Sequence, residues 1–409
     1  MKAVFAVAAM VLVFLVVTSQ LQPSIEIVRE AEKNGFSVQE IADGRYFAWE
    51  RRWIFWSRAA VDFLFLSGLA LLPIGRRIQE VVGERVGYRW WPQVAILGAI
   101  AWVGLWALNL PFRVAGYLLS RSWDMTGQSP LSWLGDVLLQ FLIETLAQGF
   151  AFLCLYGLMR AAPKFWWLAA GVGSMVLAAF FALMLPEVVA PMFNKFTPLS
   201  KTKYAELETR LKNLGKPLGI STDAIYVVDA SRQSNHTNAY FTGIGPRQQI
   251  VLYDTLLAKN TPDEVETVVA HEMGHWWHGH IYLGILYGGI ALTIGLFGLN
   301  RILVRHVETG EWRSVGDPAG IFLVLWLGSL ATAAIIPIES AISRHFERQA
   351  DEMSLKLSKK PAAFISAEIR LAKDNKMDVA PLPWNVLLFA SHPTTIERIN
   401  AAKEWKDPG

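Results

Sequence analysis

Residues 271–275 read His271-Glu272-Met273-Gly274-His275, and shortly after them an apolar run extends from Ile281 to Leu303. On a helix, positions i and i+4 lie on one face, so His271 and His275 can present ring nitrogens to one metal ion. Glu272 sits beside that point without being a ligand. Catalytic zinc sites keep one position open for water, and a neighbouring carboxylate can take the proton of a water attacking a peptide carbonyl. The spacing predicts a zinc site of peptidase type with Glu272 as general base. The preceding residues predict the helix this requires: Thr261 as cap, Pro262 at the first helical position, Asp263 and Glu264 in the first turn, and Val265, Val268 and Val269 at helical spacing.

A catalytic zinc usually takes three protein groups. In Ser343-Arg344-His345-Phe346-Glu347-Arg348-Gln349-Ala350-Asp351, Glu347 and Asp351 share a helix face. One of them can bind metal while the other accepts the free N–H of a ligand histidine. His345, two residues from Glu347, points to the opposite side. His278 and His280 read as wall or surface residues, because on a continuous helix His278 lies about 10 Å further along the axis than His271.

The rest of the chain places this site at a membrane. Of 409 residues, 53% are hydrophobic and 18% charged, far from the balance of a soluble enzyme. Apolar runs predict seven transmembrane helices, at about 3–21, 54–75, 93–116, 137–160, 165–190, 281–303 and 319–339. The expected fold is mainly α: a polytopic membrane protein with a membrane-attached metallopeptidase domain that carries a small β-sheet. Residues 1–192 hold the first five helices, 193–280 a catalytic insertion, 281–340 the last two helices, and 341–409 the remainder of the catalytic domain. Tryptophans near span ends, among them Trp53, Trp56, Trp90, Trp91, Trp166 and Trp167, fit interfacial belts. The first run also reads as a signal peptide cleaved near Ser19. In either case the last two spans return the chain to one side, so Glu347 can meet His271 and His275.

Asp62, Asn109, Gln140, Glu144, Gln148 and Glu187 fall inside the spans. Such groups either face water or bond between helices, and their number favours an internal cavity. Within the insertion, Tyr204 to Leu211 has helical spacing and Ala224 to Asp229 a strand composition. Asn238 to Thr242 and Gln249 to Tyr253, joined through Gly-Ile-Gly-Pro, read as a β-hairpin leading into the zinc helix. An exposed edge strand beginning at Asn238 and Ala239 can bind an extended peptide through main-chain hydrogen bonds.

Several separated motifs resemble one family, the integral-membrane type I CAAX prenyl endopeptidases. They are Ala190 to Leu199, Asn238-Ala239-Tyr240-Phe241, Ile250 to Leu256, the 271–275 site, Phe346 to Asp351 and Ser391-His392-Pro393-Thr394. The resemblance implies one Zn2+ held by His271, His275 and Glu347, with Glu272 as base and Asp351 as a partner behind the ligands. It also implies that His392 donates to the developing oxyanion, that Arg398 holds that corner together, and that Asn238 and Ala239 bind substrate. The implied fold encloses a large intramembrane chamber. The implied substrate is a peptide or protein with a prenylated CAAX end, cut after the lipidated cysteine; general quality-control proteolysis in the membrane would use the same site.

A transporter or lipid-binding scaffold with structural zinc is the reading from another class. Structural zinc favours four ligands with several cysteines, but the chain has one cysteine, Cys154, inside a predicted span. That single cysteine also excludes an internal disulfide. The net charge of +3 and the lack of a basic run do not imply nucleic acid. Arg76, Arg77, Arg85, Arg89, Arg160, Lys164, Arg301, Arg305 and Arg313 favour a cytoplasmic position for the end away from the zinc site. Arg29, Lys33, Arg45, Arg51 and Arg52 weigh against this and the resemblance implies the reverse, so the catalytic side is read as cytoplasmic. The membrane is the cell membrane in a prokaryote and the endoplasmic reticulum in a eukaryote.

Overall fold

The computed structural model describes residues 23–184, 188, 190–219, 225–242 and 249–407. The first expected span and Glu187 lie outside them. After α1 (Ile25–Lys33), helix α2 (Val38–Leu71) starts on a capping box in which the Ser37 hydroxyl accepts from the Glu40 amide and Glu40 accepts from that of Ser37. It ends at Leu71 because Pro73 disfavours helical backbone at Leu72, which is extended with ψ of 156°. The chain then turns aside into α3 (Pro73–Arg85), a short amphipathic helix.

Six helices among the described residues are long and apolar enough to cross a membrane. They are α2, α4 (Trp90–Ser122), α5 (Pro130–Ala161), α6 (Trp166–Met184), α10 (His280–Glu308) and α11 (Ile321–Ser358). On α5 the exposed residues Leu138, Leu142, Leu146 and Phe150 follow one another at four-residue spacing, forming the apolar stripe a helix turns toward lipid. Polar groups within the spans bond between helices: Asn109 donates to Asp62 at 2.7 Å, and Gln140 accepts from Arg113 at 3.2 Å while donating to Glu144 at 2.7 Å. Trp53 Nε1, Trp106 Nε1 and Arg113 Nε are buried without a hydrogen-bond partner, and the second Glu144 oxygen has only the Arg113 guanidinium, at 3.7 Å. At the loop end away from the 271–275 motif, Leu97, Met159, Trp166, Leu303, Ile321 and Phe322 form a packed core.

α11 continues well past its apolar part. No breaker follows Pro337, so one unbroken helix carries the residues from the membrane up to Asp351 and beyond. Between α6 and α10 lies a four-stranded sheet of β1 (Phe196–Pro198), β2 (Ile225–Val228), β3 (Ala239–Thr242) and β4 (Gln249–Tyr253) in the order β1-β2-β4-β3. β2 and β4 run parallel and the outer pairs are antiparallel, with Phe241 opposite Ile250. The expected hairpin is therefore β3–β4, and β3 is a sheet edge. Leu207 and Leu211 from α7 (Glu206–Gly215) and Leu256 from α8 (Asp254–Lys259) pack with Ile225, Ile250 and Leu252 of the sheet. Val265, Val269 and Met273 from α9 (Pro262–Trp277) complete this core. Helices α12 (Pro361–Asp374), α13 (Pro383–Phe389) and α14 (Thr395–Glu404) close the chain. Ala372, Ile396 and Ile399 pack on Ala31, Phe36 and Ile41, so the amino-terminal segment docks on the carboxy-terminal helices.

Candidate metal centre

α9 begins at the Thr261 cap its sequence predicts, and the structure adds a capping box: Thr261 Oγ1 accepts from the Glu264 amide and Glu264 accepts from that of Thr261. The Glu264 carboxylate also meets Ser366 and Arg370 of α12. Against α11 the approach is so close that Gly274 is required: a Cβ there would lie 2.8 Å from Ala350 Cα and 3.1 Å from its carbonyl oxygen. Ser354 Oγ donates across the same contact to the Thr267 carbonyl at 2.6 Å.

This packing brings together side chains from two distant parts of the sequence. His271 Nε2 and His275 Nε2 are 3.1 Å apart. Glu347 Oε2 lies 3.3 Å from the first and Oε1 3.4 Å from the second. These atoms lie within 4.8 Å of one another, a grouping able to hold a metal ion. Two further observations fit a cation. Glu347 Oε2 is buried with no hydrogen-bond partner, and each imidazole engages a partner through Nδ1, so that Nε2 is the nitrogen turned to the cluster. His271 donates from Nδ1 to Asp351 at 2.8 Å, the arrangement that leaves Nε2 as the nitrogen available to a metal. His275 is set by a relay. Gln349 Oε1 lies 3.0 Å from His280 Nε2, so that nitrogen carries the proton and the bare His280 Nδ1 accepts from His275 Nδ1 at 2.9 Å.

Arg398 stands behind Asp351, donating from Nε at 2.8 Å and from Nη2 at 2.5 Å, while its Nη1 reaches Glu368 at 2.7 Å. Glu272 points toward the sheet edge, where one of its oxygens accepts the Phe241 amide at 3.1 Å. Antiparallel pairing turns alternate amides of β3 away from β4, and Phe241 is one of these. Ala239 shares that orientation, its amide donating to the Asn238 side chain at 2.9 Å. Burial pushes the Glu272 carboxyl up. His392 stands on the other side, with Nε2 3.4 Å from Glu347 Oε1 and Nδ1 2.8 Å from Ser391 Oγ. His345 is exposed and away from the cluster.

Sequence reasoning missed three contributors. His280 is buried against His275 because the helix does not continue through it: Gly279, at φ +64°, ends α9, and His280 opens α10 folded back toward the site. The glycine was the available signal. Gln349 completes that relay. Arg344, one turn before Glu347 on the same helix face, is buried with no carboxylate partner among the described residues. It donates to the carbonyls of Val386 at 2.7 Å, Ala390 at 2.6 Å and Leu387 at 3.3 Å. It thereby holds the segment that leads to His392.

The model of peptidase family M48 matches residues 201–406, about half of the chain. The chain belongs to peptidase family M48. A second model, "CAAX prenyl protease N-terminal, five membrane helices", matches residues 46–195, so the resemblance to the type I CAAX prenyl proteases extends through the membrane helices. An uncharacterized metalloprotease of Bacillus subtilis, YhfN, is 28% identical over 375 residues, covering 90% of this chain and 87% of that protein. CAAX prenyl protease 1 of Saccharomyces cerevisiae is 33% identical over 244 residues, 53% of this chain and 51% of its own. The human CAAX prenyl protease 1 homolog is 31% identical over 287 residues, 59% and 58% of the two chains. The M48 chain thus spans about half the length of the curated CAAX prenyl proteases it matches. Its fold is that of S. mikatae Ste24p, with a TM-score of 0.81 over 98% of each chain at 21% identity. It is a multi-pass membrane metalloprotease.

Proposed function

We propose that the metal is one Zn2+ held by His271, His275 and Glu347, and that the enzyme is an endopeptidase removing the carboxy-terminal tripeptide from prenylated CAAX chains. The observation that carries this reading is the convergence of three ligand side chains, His271, His275 and Glu347, directly beside a carboxylate that faces a sheet edge. Zinc bound there supplies Lewis acidity to the scissile carbonyl and makes water nucleophilic near neutral pH.

The chain's own residues do the remainder. The edge of β3 at Asn238 and Ala239 pairs with the extended substrate backbone and brings the scissile carbonyl over the site. Glu272 takes a proton from the attacking water as its oxygen bonds to the carbonyl carbon. It returns that proton to the leaving nitrogen as the C–N bond breaks, so one acid and one amine form and Glu272 ends ionised as it began. His392 donates a hydrogen bond to the oxyanion, a contribution that elsewhere amounts to about 10²–10³ in kcat. Asp351, oriented by Arg398, fixes the His271 tautomer, and His280 with Gln349 fixes that of His275. The catalytic face is cytoplasmic in this reading, as the resemblance implies.

The test is mass spectrometry of products from the detergent-solubilised protein given a farnesylated CAAX peptide or its unlipidated twin. Tripeptide release from the lipidated peptide alone is expected. Equal cleavage of both would keep the chemistry but make the enzyme a general membrane protease.

A further inference from the structure

At the end of the bundle away from the metal centre, an open cavity of about 1650 Å³ lies between the end of α2, helix α3, the starts of α4 and α11, and the loop after α10. Four arginines from four separate segments line it: Arg76, Arg89, Arg160 and Arg313. None of the four has a carboxylate within ion-pairing distance among the described residues, although three carboxylates share the cavity. Glu311 is taken by His306 at 2.6 Å, and Asp317 accepts the backbone amides of Arg313 and Ala319, both at 3.0 Å. Glu80 is exposed one turn from Arg76 on α3. Two of the arginines are held against indole rings instead, Arg89 5.9 Å from the Trp91 centroid and Arg160 5.4 Å from that of Trp90. Stacking restrains these guanidinium groups while leaving their N–H donors free for an anion.

The surroundings select the kind of anion. α3 is anchored by Gln79, which donates to the Ala319 carbonyl at 2.8 Å, and buries Val82 in the core while Ile74 and Val81 remain exposed along one edge. This short helix joins two span ends and carries Arg77 and Arg85 on the same face as the exposed Ile74 and Val81, with Arg76 lining the cavity; long basic side chains beside exposed apolar ones suit a position at the membrane interface. The exposed rings of Tyr88 and Trp91 flank it at the same level. The cavity therefore opens where headgroups meet acyl chains. It exceeds the roughly 300–1,000 Å³ usual for small-ligand pockets.

We propose that this cavity binds the phosphate-bearing headgroup of an anionic lipid from the leaflet opposite the catalytic domain. Arg89 and Arg160 grip the phosphate, with Arg76 and Arg313 completing a bidentate-capable ring of donors.

The test uses the full chain, delipidated in neutral detergent, by native mass spectrometry with phosphatidylglycerol, phosphatidylcholine or inorganic phosphate. At the surface each basic residue strengthens binding about fivefold, so the Arg89→Gln/Arg160→Gln double variant should bind phosphatidylglycerol roughly 30-fold more weakly. Arg301→Gln, at the same end but outside this cavity, should bind it like the parent. Both arginines of the double variant are exposed, and an unchanged unfolding midpoint and peptidase rate will confirm that it folds. Equal binding of phosphatidylcholine, no loss in the double variant, or equal loss in Arg301→Gln would overturn the site. Inorganic phosphate displacing the lipid at similar concentration would overturn the lipid as its occupant.

Discussion

Gly274→Ala probes the packing on which the metal centre depends. The added methyl would stand 2.8 Å from Ala350 Cα and 3.0 Å from Met353 Cβ, against about 3.5–4.0 Å for carbon atoms in comfortable contact. Backbone lies on the far side, so α9 and α11 must separate by roughly 0.7–1 Å at this level to restore that contact. Two proposed ligands ride on α9, the third sits one turn from Ala350 on α11, and metal sites tolerate about 0.2 Å in ligand distance. Overpacking costs about 1–3 kcal/mol and alanine returns about 1 kcal/mol of helix propensity, so stability should fall by roughly 0–2 kcal/mol. The centre should suffer more, with zinc affinity down about 10–100-fold, the range seen when ligand supports are disturbed. Competition against a chromophoric chelator reads this directly. The control is Gly284→Ala on α10, where a methyl meets nothing within 4 Å. If Gly274→Ala bound zinc within a factor of about three of the parent, the helix contact would not be what fixes the ligand geometry.

Other perturbations test neighbouring parts of the site. His280→Ala removes the acceptor for His275 Nδ1, and zinc affinity should fall about 10–100-fold; an unchanged affinity would show that the relay does not set the tautomer. Arg344→Ala removes the shared donor of three carbonyls, of which that of Val386 keeps the Ala390 amide, so unfolding should cost about 1–3 kcal/mol less and kcat should fall with zinc stoichiometry intact, whereas loss of zinc in step with kcat would place Arg344 with the ligands. The Glu264 carboxyl is pushed up by burial but drawn lower overall by Ser366, the Thr261 amide and Arg370, so its contribution to stability is present above the ordinary value of 4.5 and is lost as pH falls through the lower folded-state value. Thermal unfolding of the parent should therefore steepen in acid, and in Glu264→Gln this part of the slope should disappear; identical slopes would contradict the linkage.

The sequence carried the helical part of the account because its signals are local. Thr261, Pro262 and Glu264 announce α9, whereas the expected 54–75 span runs across Leu72-Pro73, where α2 in fact ends, because the apolar run continues past the break. Helix lengths were less legible. α2 starts well before its apolar part and α11 continues well past its own, because a helix leaving the membrane no longer needs apolar residues but keeps its hydrogen bonds until a breaker arrives. Glu347 and Asp351 were visible as a pair by spacing alone, and only the packing of α11 on α9 gives each a separate place. The contact of His280 with His275 escaped notice for a single reason: extending α9 through Gly279 moves the ring away along an axis that in fact ends there. Arg344 escaped notice because its partners are carbonyls, and a backbone acceptor leaves no mark on composition.

The most direct measurement of the central claim is zinc content and turnover of Glu272→Gln against the parent enzyme on the same peptide. Glu272 touches neither convergent imidazole nitrogen nor Glu347, so the variant should hold one zinc per chain as the parent does. With its proton acceptor gone, its turnover should fall by about 10²–10⁴-fold. A variant that keeps its zinc and cleaves at the parental rate would contradict the mechanism.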